Sequence, residues 1–314
     1  MTPKVSIIVA CKTIDKYTEE CVDKCLNLDC KEFEIIILSD KEDNMSIKDD
    51  RIKIIATGEK TPGAKRNIGI ENSSGEVVAF IDSDAYPARD WIKNALKYLK
   101  NHDVVAVGGP GVTPEEDSPM QKASGYVYSS FLMGGLSRRF KQAESYESDD
   151  VHSCNFIVKR SALNHIKWNE KYWPGEDTLI CKDLKKVGKI LEAKDVVVYH
   201  HRKPLFIPHL KQAYNFGLHR GFFAKKFKDN SLKLVYFLPA FFVLYLFIGS
   251  LLSIFFESFR GIFMFSLLVY FLLAFISSLN SKKLFPIVFA GIVLTHLIYG
   301  MGFILGLIKK DLRR

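Results

Sequence analysis

The sequence predicts an α/β protein with a mostly parallel sheet, followed by C-terminal transmembrane helices. Over the first half of the 314-residue chain, short apolar segments alternate with helical segments, a pattern typical of parallel sheets. From Leu234 onward the chain is almost free of charge and rich in Phe, Leu and Ile. These two observations indicate a globular α/β domain that precedes a membrane region.

Each strand is predicted where a short apolar run ends in turn residues. These runs are Val5–Ala10, Glu34–Leu38, Ile52–Ala56, Glu76–Ile81, Val104–Val107, Asn155–Val158 and Val196–Tyr199. Helices are predicted from helical spacing of apolar residues or from a turn followed by a helix start. They are Thr18–Leu28, Gly63–Glu71, Trp91–Lys100, a helix that begins at Ser161–His165, and Glu176–Val187. The stretch from Gly108 to the Asn155 strand is less regular and predicts a long loop-containing region.

Three apolar stretches in the C-terminal part are each long enough to cross a hydrocarbon core of about 30 Å as a helix. They are Leu234–Phe256, Gly261–Ser281 and Leu284–Ile308. The preceding segment, Pro208–Phe227, is aromatic and basic and predicts a helix on the membrane surface. We therefore expect a globular domain at 1–205, an amphipathic interfacial helix at 206–230, and a membrane region at 231–314 with two to three transmembrane helices.

Charge and cysteine content bound the surroundings of the protein. The N-terminus lacks the layout of a signal peptide, so we expect a multi-pass cell-membrane protein whose globular domain is cytoplasmic. The six cysteines form no zinc-binding pattern and are expected to be reduced. The net charge of +9 is concentrated beside the apolar region, which favours membrane lipids as partners and argues against nucleic acid.

The topology of the membrane region stays open. Three spans would place the basic tail Lys309–Arg314 opposite the globular domain, against the positive-inside tendency. The third stretch contains His296, Gly300, Gly302 and Gly306, which makes it the least uniformly apolar and a candidate for a re-entrant or interfacial segment. Alternatively, Gly302 and Gly306 pack against a neighbouring helix, and the topology breaks the tendency.

Acidic residues follow two of the predicted strands. Asp40 ends one, and Asp82-Ser83-Asp84 ends another, at the edge where open parallel sheets gather ligands. Two carboxylates two residues apart can hold a divalent cation such as Mg²⁺ or Mn²⁺, which would neutralise a diphosphate. His200 and His201 follow the last strand, where a neutral imidazole could complete a metal site, although such a histidine pair is more often structural or exposed. An ordinary acidic turn is the alternative interpretation.

Two predicted helices begin with charged residues. Lys65, Arg66 and Asn67 lie in the first turn of one, where cations and free backbone N–H groups suit a phosphate, although a solvated basic helix start is the simpler explanation. Glu176 and Asp177 open the other, where one carboxylate could take a proton from an attacking hydroxyl. Acids in a first turn can also serve only the helix dipole.

Taken in chain order, these segments resemble the successive motifs of family-2 glycosyltransferases, which have the GT-A fold, a Rossmann-like and mostly parallel sheet. The segments are VSIIVACK, EIIILSD, GAKRNIGIENSSGEVVAFIDSDAYP, CNFIVKRSAL and WPGEDTLICKDLKKVGKI, within about residues 3–205. The basic helix and apolar tail are similar to those of the membrane-bound members that build polysaccharides and glycolipids. The resemblance implies a metal-dependent, inverting transfer from a nucleoside-diphosphate sugar to a lipid-linked or glycan acceptor.

The resemblance also implies a role for each matched residue. Asp177 matches the catalytic base, with Glu176 as its helper. Asp82 and Asp84 match the Asp-x-Asp motif, Asp84 being the more direct ligand of the cation, and His200 or His201 stands where some members place a further metal or phosphate contact. The residues implied in donor binding are Ala10, Lys12, Asp40, Lys65, Arg66, Asn67, Asp82 and Ser83.

The chain departs from the family pattern in the base-binding region. Cys11-Lys12-Thr13 replaces a loop with Pro and Asn, and Asp40-Lys41-Glu42 replaces Asp-Gly-Ser, which leaves the nucleotide open. The Gln-x-x-Arg-Trp motif of processive synthases is missing, which favours addition of a single sugar. Two alternatives remain: a polyprenyl-phosphate sugar synthase, and a non-catalytic membrane scaffold of glycan assembly.

Overall fold

The computed structural model describes the backbone of residues 4–312 and the side chains in that range except those of residues 135 and 136. The chain divides into two compact units, residues 1–114 with 141–201 and residues 115–140 with 202–314. The chain therefore passes from one unit to the other three times. The division expected from the sequence, with boundaries at 205 and 230, stays a prediction.

The first unit contains two sheets. In chain order the strands are β1 Val5–Ala10, β2 Phe33–Ser39, β3 Ile52–Ala56, β4 Val77–Asp82, β5 Ala85–Pro87, β6 Val104–Gly108, β7 Gly111–Val112, β8 Tyr146–Ser148, β9 Asn155–Lys159, β10 Lys189–Glu192 and β11 Val198–His200. The larger sheet has the order β3-β2-β1-β4-β9-β6-β10-β8, and the smaller has the order β5-β11-β7. In the larger sheet β8 and β9 run antiparallel to their neighbours, and the other pairs are parallel. The predicted mostly parallel α/β fold is confirmed.

Helices cover the larger sheet on both faces. In chain order the α-helices are α1 Lys16–Leu26, α2 Pro62–Glu71, α3 Trp91–Leu99, α4 Pro119–Ser129, α5 Glu176–Leu184, α6 Ile207–Lys226, α7 Lys228–Ser231, α8 Leu234–Phe255, α9 Glu257–Ser278 and α10 Phe285–Ile308. Residues of α1 and α3, such as Cys25 and Trp91, share one apolar core with the sheet, and Ile180 of α5 lies in a second core. Because both faces are buried, the central strands are continuous apolar runs.

The stretch predicted as a long irregular region contains regular elements. Its main element is α4, which belongs to the second unit, and Ser118 caps this helix by accepting a hydrogen bond from the backbone N–H of Gln121 while the Gln121 side chain bonds back. Small and polar residues such as Ser124 and Gly125 dilute the apolar spacing of α4, which hid the helix. The helix predicted to begin at Ser161 is instead a short 3₁₀ turn, Arg160–Leu163.

Within residues 4–312, the second unit contains two helical runs long and apolar enough to cross a membrane by length and composition, Leu234–Phe255 and Glu257–Ile308. The longer run is interrupted by the 3₁₀ segment Leu279–Leu284, where Lys282 has a φ of 52°. The run therefore consists of two separate helices, α9 and α10. The three apolar stretches of the sequence correspond to α8, α9 and α10.

Helices α6 and α10 approach each other through glycines. A Cβ atom at Gly217 of α6 would lie 2.2 Å from the carbonyl oxygen of Tyr299, and one at Gly306 of α10 would lie 2.1 Å from that of Leu218. The corresponding distances are 2.1 Å at Gly221 and 2.4 Å at Gly302, so each helix presents a small-xxx-small face to the other.

A buried histidine joins three helices of the second unit. The His209 ring on α6 is hydrogen-bonded through Nδ1 with Ser124 of α4 at 2.7 Å, and through Nε2 with Thr295 of α10 at 2.9 Å. Burial, together with the positive charge of Arg202, lowers the pKa of His209 to about 4. The imidazole is therefore neutral near pH 7 and bonds to both hydroxyls without a charge.

Candidate active site

The carboxyl ends of three parallel strands lie level with one another in the first unit. Ala10, the last residue of β1, pairs with Leu38 of β2 on one side and with Asp82 of β4 on the other. Because β2 and β4 flank β1, the connections after β1 and after β3 leave in opposite directions. Ligands of open α/β sheets bind at such a switch point.

Three potential metal ligands converge at this edge. The pairing of β5 with β11 places His200 opposite Ala85, and the His201 N–H donates to the Asp84 carbonyl at 2.9 Å. As a result, His200 Nε2 lies 3.2 Å from Asp84 Oδ1. Ligand atoms of Asp82, Asp84 and His200 all lie within 4.8 Å of one another. Two carboxylates and an imidazole fit a divalent cation such as Mn²⁺ or Mg²⁺.

The neighbouring histidine belongs to a different environment. His201 Nε2 lies 2.9 Å from Glu20 Oε2, and its ring packs against Tyr17 and Tyr86 with centroid distances of 4.6 and 5.6 Å. His201 therefore fixes α1 against the small sheet, whereas His200 belongs to the acidic cluster.

Arg66 connects the acidic cluster with the start of α5. Its guanidinium donates to Asp82 Oδ1 at 2.9 Å and to Glu176 Oε1 at 2.8 Å, and it lies 4.7 Å from the ring centroid of Trp168. Burial disfavours the charged guanidinium, but the carboxylates of Asp82, Glu176 and Asp177 outweigh this effect and raise the pKa of Arg66. The side chain is thus a buried permanent cation between two acidic elements.

Lys65 and Asn67 are also buried and have protein partners. Lys65 Nζ donates to the Cys11 carbonyl and to Asp40 Oδ1. Asn67 Nδ2 donates to the Trp168 carbonyl at 3.0 Å, and its Oδ1 accepts from the Trp168 N–H at 2.9 Å. Lys65 therefore joins the ends of β1 and β2, and Asn67 holds the loop that carries Trp168. The predicted contacts of Lys65, Arg66 and Asn67 with the donor stay predictions.

The two acids at the start of α5 differ in accessibility. Gly175, with a φ of 115°, precedes the helix in a left-handed conformation that favours glycine. Glu176 is 4% exposed and bonded to Arg66, whereas Asp177 is half-buried, and its Oδ1 accepts from the Thr178 N–H at 2.9 Å. The hydroxyl of Thr178 donates to the buried Asp150 at 3.0 Å. Asp177 is therefore the acid of the pair that a substrate can reach.

The remaining predicted residues line the ends of β1, β2 and β4. Ala10 and Ser83 are half-buried, and the exposed Lys12 offers its carbonyl to the Asp40 N–H at 3.0 Å. Between them, burial raises the pKa of the Cys11 thiol to about 11 despite the nearby Lys65 charge. The thiol is protonated at neutral pH, which excludes it as a nucleophile there.

Trp168 was not predicted as part of the site. It is 2% exposed, lies under Arg66, and bonds through its backbone to a residue about a hundred positions earlier in the chain. Its local sequence has neither a motif nor a helical spacing. Only the Asn67 side chain, unusual inside a buried helix face, hinted that a loop is held there.

Comparison with known proteins identifies the family of this chain. Residues 6–167 match the family model described as glycosyl transferase family 2. The chain is 24% identical over 265 residues to a dolichyl N-acetyl-α-D-glucosaminyl phosphate 3-β-D-2,3-diacetamido-2,3-dideoxy-β-D-glucuronosyltransferase of Methanococcus voltae, covering 79% of this chain and 82% of that protein. It is also 24% identical over 216 residues to an uncharacterized glycosyltransferase of Haemophilus influenzae, covering 65% of this chain and 79% of that protein.

A solved structure shares the fold. A mannosyltransferase of Pyrobaculum calidifontis, in complex with GDP-Man and Mn²⁺, superimposes with a TM-score of 0.58 at 16% identity, covering 97% of this chain and 88% of that one. The GT-A fold expected from the sequence is confirmed. With the family match over 162 of 314 residues, the chain belongs to glycosyl transferase family 2 and is a glycosyltransferase with a nucleotide-sugar donor.

Proposed function

We propose that this enzyme transfers one sugar from a nucleoside-diphosphate sugar to a hydroxyl of a lipid-linked or glycan acceptor, with inversion at the anomeric carbon. The reaction depends on a divalent cation and takes place at the cytoplasmic face of the membrane. The observation that carries the proposal is the convergence of Asp82, Asp84 and His200 within 4.8 Å, joined through Arg66 to the acidic start of α5.

Residues that follow or end β4 and β11 fit the cation. Asp84 and His200 would hold it together with Asp82, which also accepts a hydrogen bond from Arg66. An imidazole beside carboxylates suits Mn²⁺ better than Mg²⁺, which prefers oxygen ligands. When bound, the cation supplies charge neutralisation for the leaving diphosphate.

Glu176 and Asp177 have different proposed roles, because they differ in accessibility. Asp177 removes the proton of the acceptor hydroxyl as that oxygen attacks the anomeric carbon from the face opposite the diphosphate. A single displacement of this kind inverts the anomeric centre. Glu176 is buried on Arg66, so it positions the start of α5 rather than accepting the proton.

The membrane location and the type of acceptor rest on two further observations. The second unit contains helical runs long and apolar enough to cross a membrane. The Methanococcus voltae relative is named for a dolichyl phosphate-linked sugar substrate. An acceptor that carries a lipid would meet the enzyme in the membrane, which is consistent with the catalytic unit being attached to such helices.

Nucleotide binding tests the proposed donor site. UDP, GDP and dTDP are titrated against detergent-purified protein with and without Mn²⁺, for the wild type, for Asp84→Ala and for Asp23→Ala, an exposed carboxylate on α1 as the control. We expect one nucleotide to bind in a metal-dependent manner to the wild type and to the control, and to lose that dependence in Asp84→Ala. Equal binding with and without Mn²⁺ would contradict metal dependence, and binding of no nucleotide by folded protein would favour the scaffold alternative.

Substitution of the predicted base tests the acceptor chemistry. Asp177→Asn is compared with Asp183→Asn on the same helix, whose carboxylate pairs with Lys186 at 2.6 Å. We expect near-complete loss of transfer for Asp177→Asn, because a hydroxyl acceptor must lose its proton, and little change for Asp183→Asn. A merely graded loss would favour a phosphate acceptor, which is already ionised, and thus a polyprenyl-phosphate sugar synthase.

A further inference from the structure

The contacts of α10 with its neighbouring helices indicate how the second unit is placed in the membrane. We propose that only the hairpin of α8 and α9 crosses the bilayer, whereas α6 and α10 lie side by side in the membrane interface, where basic side chains meet anionic lipid headgroups. This assignment rests on the membrane attachment proposed above. It places the C-terminal end of α10 on the same side of the membrane as the chain that precedes α8.

Helices α8 and α9 form an antiparallel hairpin of the right length to cross. The rings of Phe242 and Tyr270 lie 4.3 Å apart, and close to the connecting turn Arg260 Nε donates to the Ser253 carbonyl at 2.9 Å. Each helix has 22 residues, which corresponds to about 33 Å and matches a hydrocarbon core of about 30 Å. We call the end that contains the start of α8 and the end of α9 the near end of the hairpin.

Both ends of α10 contact the hairpin close to its near end. The Phe285 ring lies 5.9 Å from that of Phe275, three residues before the end of α9, and the Phe303 ring lies 4.7 Å from that of Phe237, three residues after the start of α8. The 18 residues between Phe285 and Phe303 extend about 27 Å as a helix, yet both contacts lie about 5 Å from the near end. Helix α10 therefore crosses the hairpin at a steep angle and does not run along it.

The middle of α10 stays in the same half of the hairpin. His296 Nδ1 is hydrogen-bonded with the Tyr270 hydroxyl at 2.9 Å, and Gly300 lies against the Pro239 carbonyl. Tyr270 is eight residues from the end of α9, or about 12 Å along the helix. The contacts of α10 thus begin, continue and end in the near half.

The last turn of α10 lies beside the chain that precedes α8. Lys225 Nζ, at the end of α6, donates to the Leu307 carbonyl at 2.9 Å and also to the Lys309 carbonyl. Lys225 lies nine residues before the start of α8. If α10 crossed the bilayer from the near end, its last turn would lie about 30 Å away, far beyond the reach of a lysine side chain.

Helix α6 accompanies α10 and explains why the pair stays out of the hydrocarbon. Gly217 meets Tyr299, and four residues later Gly221 meets Phe303, so the two helices run side by side in the same direction. Lys211, Lys225 and Lys226 of α6 are exposed. Charged side chains are costly in the bilayer centre but favourable among anionic headgroups, which keeps α6 and its partner in the interface.

The distribution of charge around the hairpin indicates which side is cytoplasmic. Four lysines lie in the segments next to the near end, namely Lys228, Lys233, Lys282 and Lys283. At the other end, the first turn of α9 carries Glu257 and Arg260. The positive-inside tendency therefore places the near end, and with it the basic C-terminal tail, in the cytoplasm.

Cysteine labelling tests the topology without any need for activity. The six native cysteines are buried, so exposed cysteines can be introduced one at a time as Lys228→Cys, Ser258→Cys and Lys310→Cys. Sealed inside-out vesicles are treated with a membrane-impermeant maleimide before and after detergent. We expect Lys228→Cys and Lys310→Cys to label at once, and Ser258→Cys to label only after detergent.

Two labelling outcomes would overturn the proposal. Labelling of Lys310→Cys only after detergent, like Ser258→Cys, would show that α10 crosses the bilayer, and labelling of all three variants at once would show that the hairpin does not.

A second experiment measures how deeply α10 lies in the bilayer, because a re-entrant α10 would give the same labelling pattern as an interfacial one. Tryptophan fluorescence of Met301→Trp should be quenched most by lipids brominated near the headgroup, and that of Phe265→Trp by lipids brominated deep in the chains; deepest quenching of Met301→Trp would refute an interfacial α10. The labelling and quenching results do not depend on nucleotide binding, so a failure of the proposed activity can be distinguished from a failure of the proposed topology.

Discussion

The buried imidazole of His209 makes the stability of the protein depend on pH in a calculable way. In an unfolded chain a histidine binds a proton near pH 6.5, but burial and the charge of Arg202 lower the pKa of folded His209 to about 4. Between these values the unfolded state takes up a proton that the folded state does not. The stabilisation is therefore complete above about pH 6.5 and is lost as the pH falls towards 4, by about 1.4 kcal/mol per pH unit and about 3 kcal/mol in all.

The comparison of wild type with His209→Gln isolates this effect. The amide of glutamine can still bond to Ser124 and Thr295 but does not titrate in this range. Between pH 7.5 and pH 5, we expect the wild type to lose about 2 kcal/mol more of its free energy of unfolding than the variant loses. Thermal or denaturant unfolding of detergent-purified protein measures the difference, with the exposed His165→Gln as the control, which should follow the wild type. Equal losses in wild type and His209→Gln would refute the reasoning.

Three further predictions follow from close contacts. Lys65→Met leaves the nearly buried Asp40 carboxylate without its ion pair and should lower the free energy of unfolding by about 3–5 kcal/mol in a denaturant titration, whereas a loss below about 1 kcal/mol would speak against a buried pair. Gly221→Leu should lower the melting temperature, because a Cβ at this position would lie 2.1 Å from a backbone oxygen of α10. The control Gly261→Leu should leave the melting temperature unchanged, because nothing lies within 4 Å of a Cβ there. Equal effects of the two variants would contradict the α6–α10 packing. His200→Ala should weaken Mn²⁺ binding, followed by electron paramagnetic resonance, by at least about tenfold, and unchanged affinity would remove the imidazole from the site.

The sequence predicted those strands and helices that depend mainly on their own local residues. β1 and β3 have the predicted ends, Val5–Ala10 and Ile52–Ala56, because each is a short, mainly apolar run bounded by turn residues, although β1 is buried and the edge strand β3 is half-buried or exposed. Strand β10, Lys189–Glu192, was not predicted, since it has only two apolar residues and depends on β6 and β8 for its pairing. Helix α4 was missed for a related reason: its capping box is clear, but its buried face includes small residues that fit only against the helices of its own unit.

The site shows the same division between local and distant determinants. Asp82, Asp84 and His200 could be named because each was predicted directly after a strand, where ligands of α/β sheets gather. That they meet depends on the pairing of β5 with β11 in the smaller sheet, which the sequence did not predict. The role of Arg66 as a bridge between Asp82 and Glu176 could not, because the two acids are almost a hundred residues apart and the guanidinium reaches both only after α2 and α5 have packed on the sheet.

The interleaved path of the chain through its two units has a consequence for biosynthesis. Ala123 and Val127 of α4 pack against Val288 and Ile292 of α10, which are translated 165 residues later. Translation adds about 5–20 residues per second, so about 10–30 s pass between the synthesis of α4 and that of its partner α10. During that interval the apolar face of α4 is exposed on the nascent chain, so we expect the chain to need a chaperone or early contact with the lipid surface. For the same reason, a protein shortened after residue 201 would keep α4 without its partner and should aggregate rather than yield a soluble catalytic unit.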